Sequence, residues 1–89
     1  MIVQITKQNG VVQTFNCDFA ALSMRNCFIM QYRETDLTIA TISPRFDNVC
    51  KIKYCDGETG EKGELDGNYE LTEIRKSDNT YFIVLDSLT

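Results

Sequence analysis

The sequence predicts a mostly β fold, a small single-domain antiparallel barrel or sandwich of about seven short strands with one short helix. Three observations predict it: short runs of alternating apolar residues, turn residues between most of these runs, and a length of 89 residues, which fits one domain. An α+β roll, with the segment from Asp18 packed across the sheet, is the alternative. We expect residues 1–89 to form one β-rich domain with an acidic, glycine-rich loop at 56–68.

The first two runs, 2–6 and 11–15, predict a β-hairpin. They flank Asn9 and Gly10, a pair that accepts the positive φ angles of a type I′ turn. Pairing across such a turn places odd positions of one strand opposite even positions of the other. The expected core face of the hairpin is formed by Val3, Ile5, Val12 and Thr14.

Five further runs carry the strand pattern, at 27–33, 37–43, 49–55, 69–76 and 80–86. In the first of them Phe28, Met30 and Tyr32 alternate onto one face, which we expect to be buried. Pro44 ends the run at 37–43 because proline cannot donate to a ladder. The last run is apolar on both faces, which predicts that a terminal strand inserts into the middle of the sheet.

Residues 16–26 interrupt the β pattern and predict the one short helix. Asp18 is a suitable N-cap, and Phe19 and Leu22 lie three apart on one side of such a helix. Met24 would extend the apolar side, and two turns are the most that the segment allows.

The composition predicts an ordinary globular, cytoplasmic protein, with 43% hydrophobic and 25% charged residues. The N-terminal residues lack the pattern of a secretory signal, and no apolar stretch approaches the ~18 residues of a membrane span. The cysteines, expected to be reduced, are Cys17, Cys27, Cys50 and Cys55. Without histidine or a C-x-x-C pair we expect no metal and no cofactor, with disulfides or a four-cysteine zinc site as alternatives.

Several catalytic arrangements are missing from the sequence. Without histidine there is no Ser-His-Asp or Cys-His site, and no glycine-rich phosphate-binding motif occurs. A pair of carboxylates is compatible with the 13 acids, but so small a domain seldom encloses a cleft that buries a substrate. We therefore expect that the protein is not an enzyme.

The negative charge is concentrated in residues 56–73. This segment holds seven acids against one base and a net charge of −6, whereas the rest of the chain sums to +2. A solvated loop explains such a segment, and docking on a basic surface of another protein is the functional interpretation. Mimicry of nucleic-acid phosphates and calcium binding are weaker alternatives, since the segment departs from the EF-hand pattern at the third ligand. The candidate partner-binding residues are Asp56, Glu58, Glu61, Glu64, Asp66, Glu70 and Glu73.

Cys55 is a candidate reactive thiol. On an extended strand it shares a face with Lys51 and Lys53, whose ammonium groups favour a thiolate. The alternative is a small apolar residue at the end of a strand. The same alternation places Tyr54 on the opposite face from the lysines, and with a pI of about 4.6 we expect no direct binding of nucleic acid.

Together these features predict a non-catalytic protein-binding module, a small inhibitor or adaptor that acts through the acidic loop or a strand edge. A structural subunit of a larger assembly, such as a phage particle, is the alternative, and either role is compatible with a homo-oligomer. A short β-rich chain with one charged loop is also common among accessory proteins of phages and mobile elements.

Overall fold

The computed structural model describes residues 1–23, 26–35 and 37–88, which form a closed antiparallel barrel. The strands of the described residues are β1 (Ile2–Lys7), β2 (Val12–Leu22), β3 (Cys27–Arg33), β4 (Val49–Cys55), β5 (Lys62–Ser77) and β6 (Thr80–Ser87). A short helix, α1 (Ile39–Ile42), continues into a 3₁₀ helix (Ser43–Phe46) between β3 and β4. The predicted mostly β barrel is confirmed, with six strands among the described residues in place of seven predicted runs.

Two three-stranded meanders, β1-β2-β3 and β4-β5-β6, form the wall of the barrel. Pairing of β1 with β4 and of β3 with β6 joins them in the closed order β1-β2-β3-β6-β5-β4. Because β4 returns to lie beside β1, the first four strands form a Greek key. Strand β6 pairs with both β3 and β5, but in a closed barrel every strand has two neighbours, so the predicted central position does not distinguish β6 from the other strands.

One apolar core fills the barrel. Phe28, Met30 and Tyr32 of β3 are all buried, as their alternation predicts. Ile42 and Phe46 of the β3–β4 connection are also buried, and the Phe46 ring stacks on Phe15 with centroids 5.1 Å apart. This connection therefore supplies core residues as well as linking the two meanders.

The β1–β2 hairpin is confirmed, but its loop has three residues. Lys7 N–H donates to the Val11 carbonyl and Gly10 N–H to the Lys7 carbonyl, both at 2.9 Å. Gly10, at φ +89°, takes the left-handed position after a type I turn. An odd loop length places odd positions opposite each other, so Val3 pairs with Phe15. Phe15 is therefore buried, and the expectation that Val12 and Thr14 face the core was wrong.

The helix predicted from Asp18 is wrong for residues 18–22, where β2 continues along β3. A β-bulge accommodates Asp18, whose carboxylate accepts a hydrogen bond from Arg33 Nε at 2.9 Å and caps no helix. Met24 and Arg25, the remainder of the predicted helix, lie outside the described residues. The α+β roll, which required this helix, is wrong with it.

The strand predicted at 37–43 is also wrong, because α1 and the start of the 3₁₀ helix occupy most of this segment. The Thr38 hydroxyl caps α1 by accepting from Thr41 N–H at 3.3 Å. Pro44 lies in the first turn of the 3₁₀ helix, where its missing N–H leaves no hydrogen bond unmade. Pro44 therefore helps a helix to begin, whereas the prediction assigned it the end of a strand.

The acidic loop is shorter than predicted. Strand β5 begins at Lys62, so that only residues 56–61 form a turn. From there to Tyr69 the residues alternate between exposed and less exposed positions, the pattern of a strand with one solvated face. Glycines and acids disfavour strands, but here cross-strand contacts and the pairing with β4 outweigh this preference. No helix within the described ranges is long and apolar enough to cross a membrane.

Candidate functional site

The turn at 56–61 carries three of the predicted site residues and is held by Asp56. Its N–H donates to the Glu61 carbonyl at 2.7 Å, and its carbonyl accepts from Gly60 N–H at 2.8 Å. Its carboxylate accepts from Glu58 N–H at 2.9 Å, and this hydrogen bond lowers the pKa of Asp56. Asp56 therefore has a structural role, whereas the exposed Glu58 and Glu61 form no ion pair with any described residue.

Two acids of β5, Glu64 and Asp66, are neutralised by lysines of β4. Lys51 Nζ lies 3.0 Å from a Glu64 carboxylate oxygen and 3.6 Å from one of Asp66. The hydrogen bond between Lys51 and Glu64 raises the pKa of the lysine and lowers that of the glutamate. Lys53 lies 3.9 Å from Glu64 as well. These four side chains form a cross-strand ladder that offers a partner little net charge.

The last two predicted acids lie further along β5. Glu73 pairs with Arg75 two residues away, and Glu70 is exposed on the outside of the barrel. The structure therefore does not bring the seven acids into one surface. Only the three acids of the turn line a common cavity.

That cavity, about 920 Å³ in volume, separates the turn from the second half of β2. We call it the acidic groove. It is lined by Met1, Ile2, residues 16–22, Tyr54, residues 56–58 and Glu61. Asp18, which pairs with Arg33, contributes a fourth carboxylate to its rim. The groove thus lies at the end of the barrel where β1 begins. Its two sides are the second half of β2 and the turn at 56–61, which both extend beyond the first residue of β1.

Exposed apolar side chains accompany these carboxylates. Ile2, Phe19 and Leu22 are 45%, 49% and 41% exposed, and all three line the acidic groove. Large apolar side chains grouped beside charged ones mark a surface that another molecule covers more often than a solvated face. The groove therefore combines apolar contact area with negative charge.

Tyr54 forms one wall of the groove. Its ring lies 6.0 Å from that of Phe28 and crosses the backbone at Gly63, where any side chain would collide with it. The ring also borders a second, shallow cavity of about 570 Å³. A glycine on β5 is thus needed for the position of this tyrosine.

Cys55 is exposed and lies in the second cavity, between Ile2 of β1 and Lys62 of β5 in the sheet register. Lys53 and Lys62 line the same cavity, whereas Lys51 is engaged by the β5 acids. All four cysteines are free thiols, and no group of three metal-ligating side chains occurs within the part of the chain that the structure describes.

The apolar side of the groove was not predicted from the sequence. Phe19 and Leu22 were expected in a helix, and no functional role was expected for Ile2. One signal favoured a strand: no glycine or proline separates the run at 11–15 from Leu22. The length of β2 could therefore have been predicted from the sequence, whereas the exposure of its last residues could not.

In comparisons with known proteins, no family model, no curated protein and no solved structure matches this chain. The geometry of the acidic groove is thus the observation from which a function is inferred.

Proposed function

We propose that this protein is a non-catalytic protein-binding module, an inhibitor or adaptor that holds a basic segment of a partner in the acidic groove. The observation that carries the proposal is the placement of Glu58 and Glu61, without ion pairs to described residues, beside the exposed Ile2, Phe19 and Leu22. Carboxylates at the rim steer a basic partner toward the groove, while burial of the apolar side chains supplies affinity.

The electrostatics favour binding over catalysis. A carboxyl that serves as a general acid near neutral pH needs a raised pKa, whereas the hydrogen bond from Glu58 N–H lowers the pKa of Asp56 in the groove. Nucleic acid is an unsuitable partner because the rim is acidic. Lys51 and Lys53 of β4, which could otherwise contact phosphates, are engaged by Glu64 and Asp66.

The test begins with purification of a partner from native lysate at low salt, using a tag at the C-terminus because Met1 lines the groove. The purified partner is then titrated with the wild type and with the Glu58→Gln/Glu61→Gln variant. We expect about tenfold weaker binding of the variant, since two rim charges contribute about 1–2 kcal/mol together. Binding should also weaken between about 20 mM and about 300 mM NaCl.

A matched control removes the same charge elsewhere. Asp47 and Asp78 are exposed and lie near the opposite end of the barrel, so Asp47→Asn/Asp78→Asn should bind as the wild type does. The proposal would be contradicted if both double variants bound the partner equally weakly, or if Glu58→Gln/Glu61→Gln bound it as tightly as the wild type. Recovery of the chain alone as a defined oligomer would favour the structural subunit of a larger assembly.

A further inference from the structure

Among the residues that the structure describes, no strand pairs with one edge of β2 over its last residues. Strand β1 pairs with β2 as far as Ile2 and Asn16, and two backbone hydrogen bonds between Met1 and Cys17 end this pairing. From residue 18 to Leu22, β2 is paired with β3 alone. Within the described ranges the barrel is thus closed along β1, and residues 18–22 of β2 form an edge that no second strand pairs with.

The backbone groups at this edge follow from the hydrogen bonding to β3. Ser23 N–H donates to the Cys27 carbonyl at 2.8 Å, so Ala21, two residues earlier, also faces β3. Ala20 and Leu22 therefore direct their N–H and C=O groups away from β3. Both residues border the acidic groove, where Leu22 is 41% exposed and Ala20 is 7% exposed. Residues 18–22 offer a length of about 17 Å for pairing with another strand.

Strand β5 shows how the barrel covers a comparable edge. Its second half extends past β4, and there α1 and the 3₁₀ helix pack against it. Lys76 Nζ reinforces this cover by donating to the Leu37 carbonyl at 2.7 Å. An edge left uncovered is a template for pairing with another chain.

We infer that the partner segment enters the acidic groove as an extended strand, antiparallel to β2 and in line with β1, and pairs with Ala20 and Leu22. This inference rests on the proposed function and specifies its binding mode, β-strand addition. Residues of the segment opposite Ala20 and Leu22 face inward, toward Tyr54, and are apolar. The residues between them face solvent beside the rim carboxylates and are lysine or arginine.

The charge of the groove selects this occupant over a second copy of the chain. Two copies paired edge to edge would bring both sets of rim carboxylates, Asp18, Asp56, Glu58 and Glu61, toward each other. Like charges brought together across an interface oppose association. A basic segment of another protein carries the complementary charge.

The probe is a capped peptide of about eight residues in which lysine and valine alternate. Amide hydrogen exchange of the labelled protein is followed by NMR, with a glutamate–valine peptide as the control. In the unbound protein the Ala20 and Leu22 amides should exchange at least about tenfold faster than that of Ala21, which is bonded to β3. Saturation with the lysine peptide should slow both at least about tenfold, and the glutamate peptide should change neither.

Methylation of the peptide backbone tests the edge directly. N-methyl groups on the peptide amides that face β2 should abolish binding. N-methyl groups on the other amides should leave most of the binding affinity unchanged. On the protein side, Leu22→Pro removes one edge N–H and should weaken binding at least about tenfold relative to Leu22→Val, which keeps it. If Leu22→Pro does not fold, the hydrogen-exchange and peptide-methylation results decide whether the partner adds as a strand.

Distinct outcomes separate this inference from the proposed function. A purified partner that depends on Glu58 and Glu61 but leaves the Ala20 and Leu22 amides unprotected would overturn strand addition and leave the binding module standing. Absence of any effect of the lysine peptide would also overturn strand addition. If both amides were protected from exchange without peptide, and more so at higher protein concentration, the occupant would be a second copy of the chain. That result would overturn the inference of a basic partner segment.

Discussion

Among single residues, Tyr32 carries the clearest destabilising feature, a buried polar group. Its hydroxyl is buried and has no hydrogen-bond partner among the residues that the structure describes. Burial raises the pKa of Tyr32 and the Glu34 carboxylate adds to the effect, while the nearby Arg45 guanidinium opposes it without reaching hydrogen-bonding geometry. The neighbouring Tyr81, stacked on it at 5.7 Å, instead donates to the Leu37 carbonyl at 2.5 Å. Two tyrosines in one stack thus differ in whether their hydroxyl groups are satisfied.

We expect Tyr32→Phe to raise the free energy of unfolding by about 1 kcal/mol, because it removes a desolvated hydroxyl that forms no hydrogen bond. Tyr81→Phe should lower it by about 1 kcal/mol through the loss of a made hydrogen bond. Urea unfolding monitored by circular dichroism measures both. A destabilised Tyr32→Phe protein would mean that the hydroxyl has a partner.

At the scale of elements, local residue patterns predicted the β1–β2 hairpin but not its loop. Asn9 and Gly10 are compatible with a two-residue loop and with the observed three-residue loop, and the two choices differ by one residue in register. The core side chain on β2 is therefore Phe15, where the shorter loop would have selected Val12. Packing of Phe15 between Tyr32 and Phe46 favours the observed register.

Gly10→Ala tests the loop. Because Gly10 is at φ +89°, an alanine there is strained, and we expect the free energy of unfolding to fall by about 1 kcal/mol. Gly57→Ala is the matched control, since Gly57 also has open space around it but is not in the left-handed region. Chemical denaturation of both variants is the measurement. Equal effects of the two substitutions would exclude the left-handed position as the cause.

At the scale of the whole molecule, closure of the barrel buries a thiol and makes stability depend on pH. Cys17 is 3% exposed, and burial raises its pKa from 9.0 to about 11. The unfolded chain therefore loses this proton at lower pH than the folded protein does. The resulting contribution to stability is complete below about pH 9 and is lost as the pH rises to about 11.

We expect the free energy of unfolding to fall over this pH range, with at most about 3 kcal/mol due to Cys17. Tyr32, whose pKa is also raised, acts in the same direction at higher pH. Cys17→Ala should show a shallower decline than the wild type, whereas Cys55→Ala, at an exposed position, should follow the wild type. Urea unfolding at a series of pH values measures the slope, and a rise in stability with pH would contradict the assignment.

Alternation with a period of two was sufficient to predict the β class and the buried face of β3, because it is a local property of the chain. Which acids keep their charge, and where the groove lies, depends on contacts that form in the folded barrel. Lys51 neutralises Asp66 on the neighbouring strand, and residues 18–22 of β2 border the groove opposite the turn at 56–61. Such contacts join residues that are distant in the chain, and a residue pattern within one segment does not predict them.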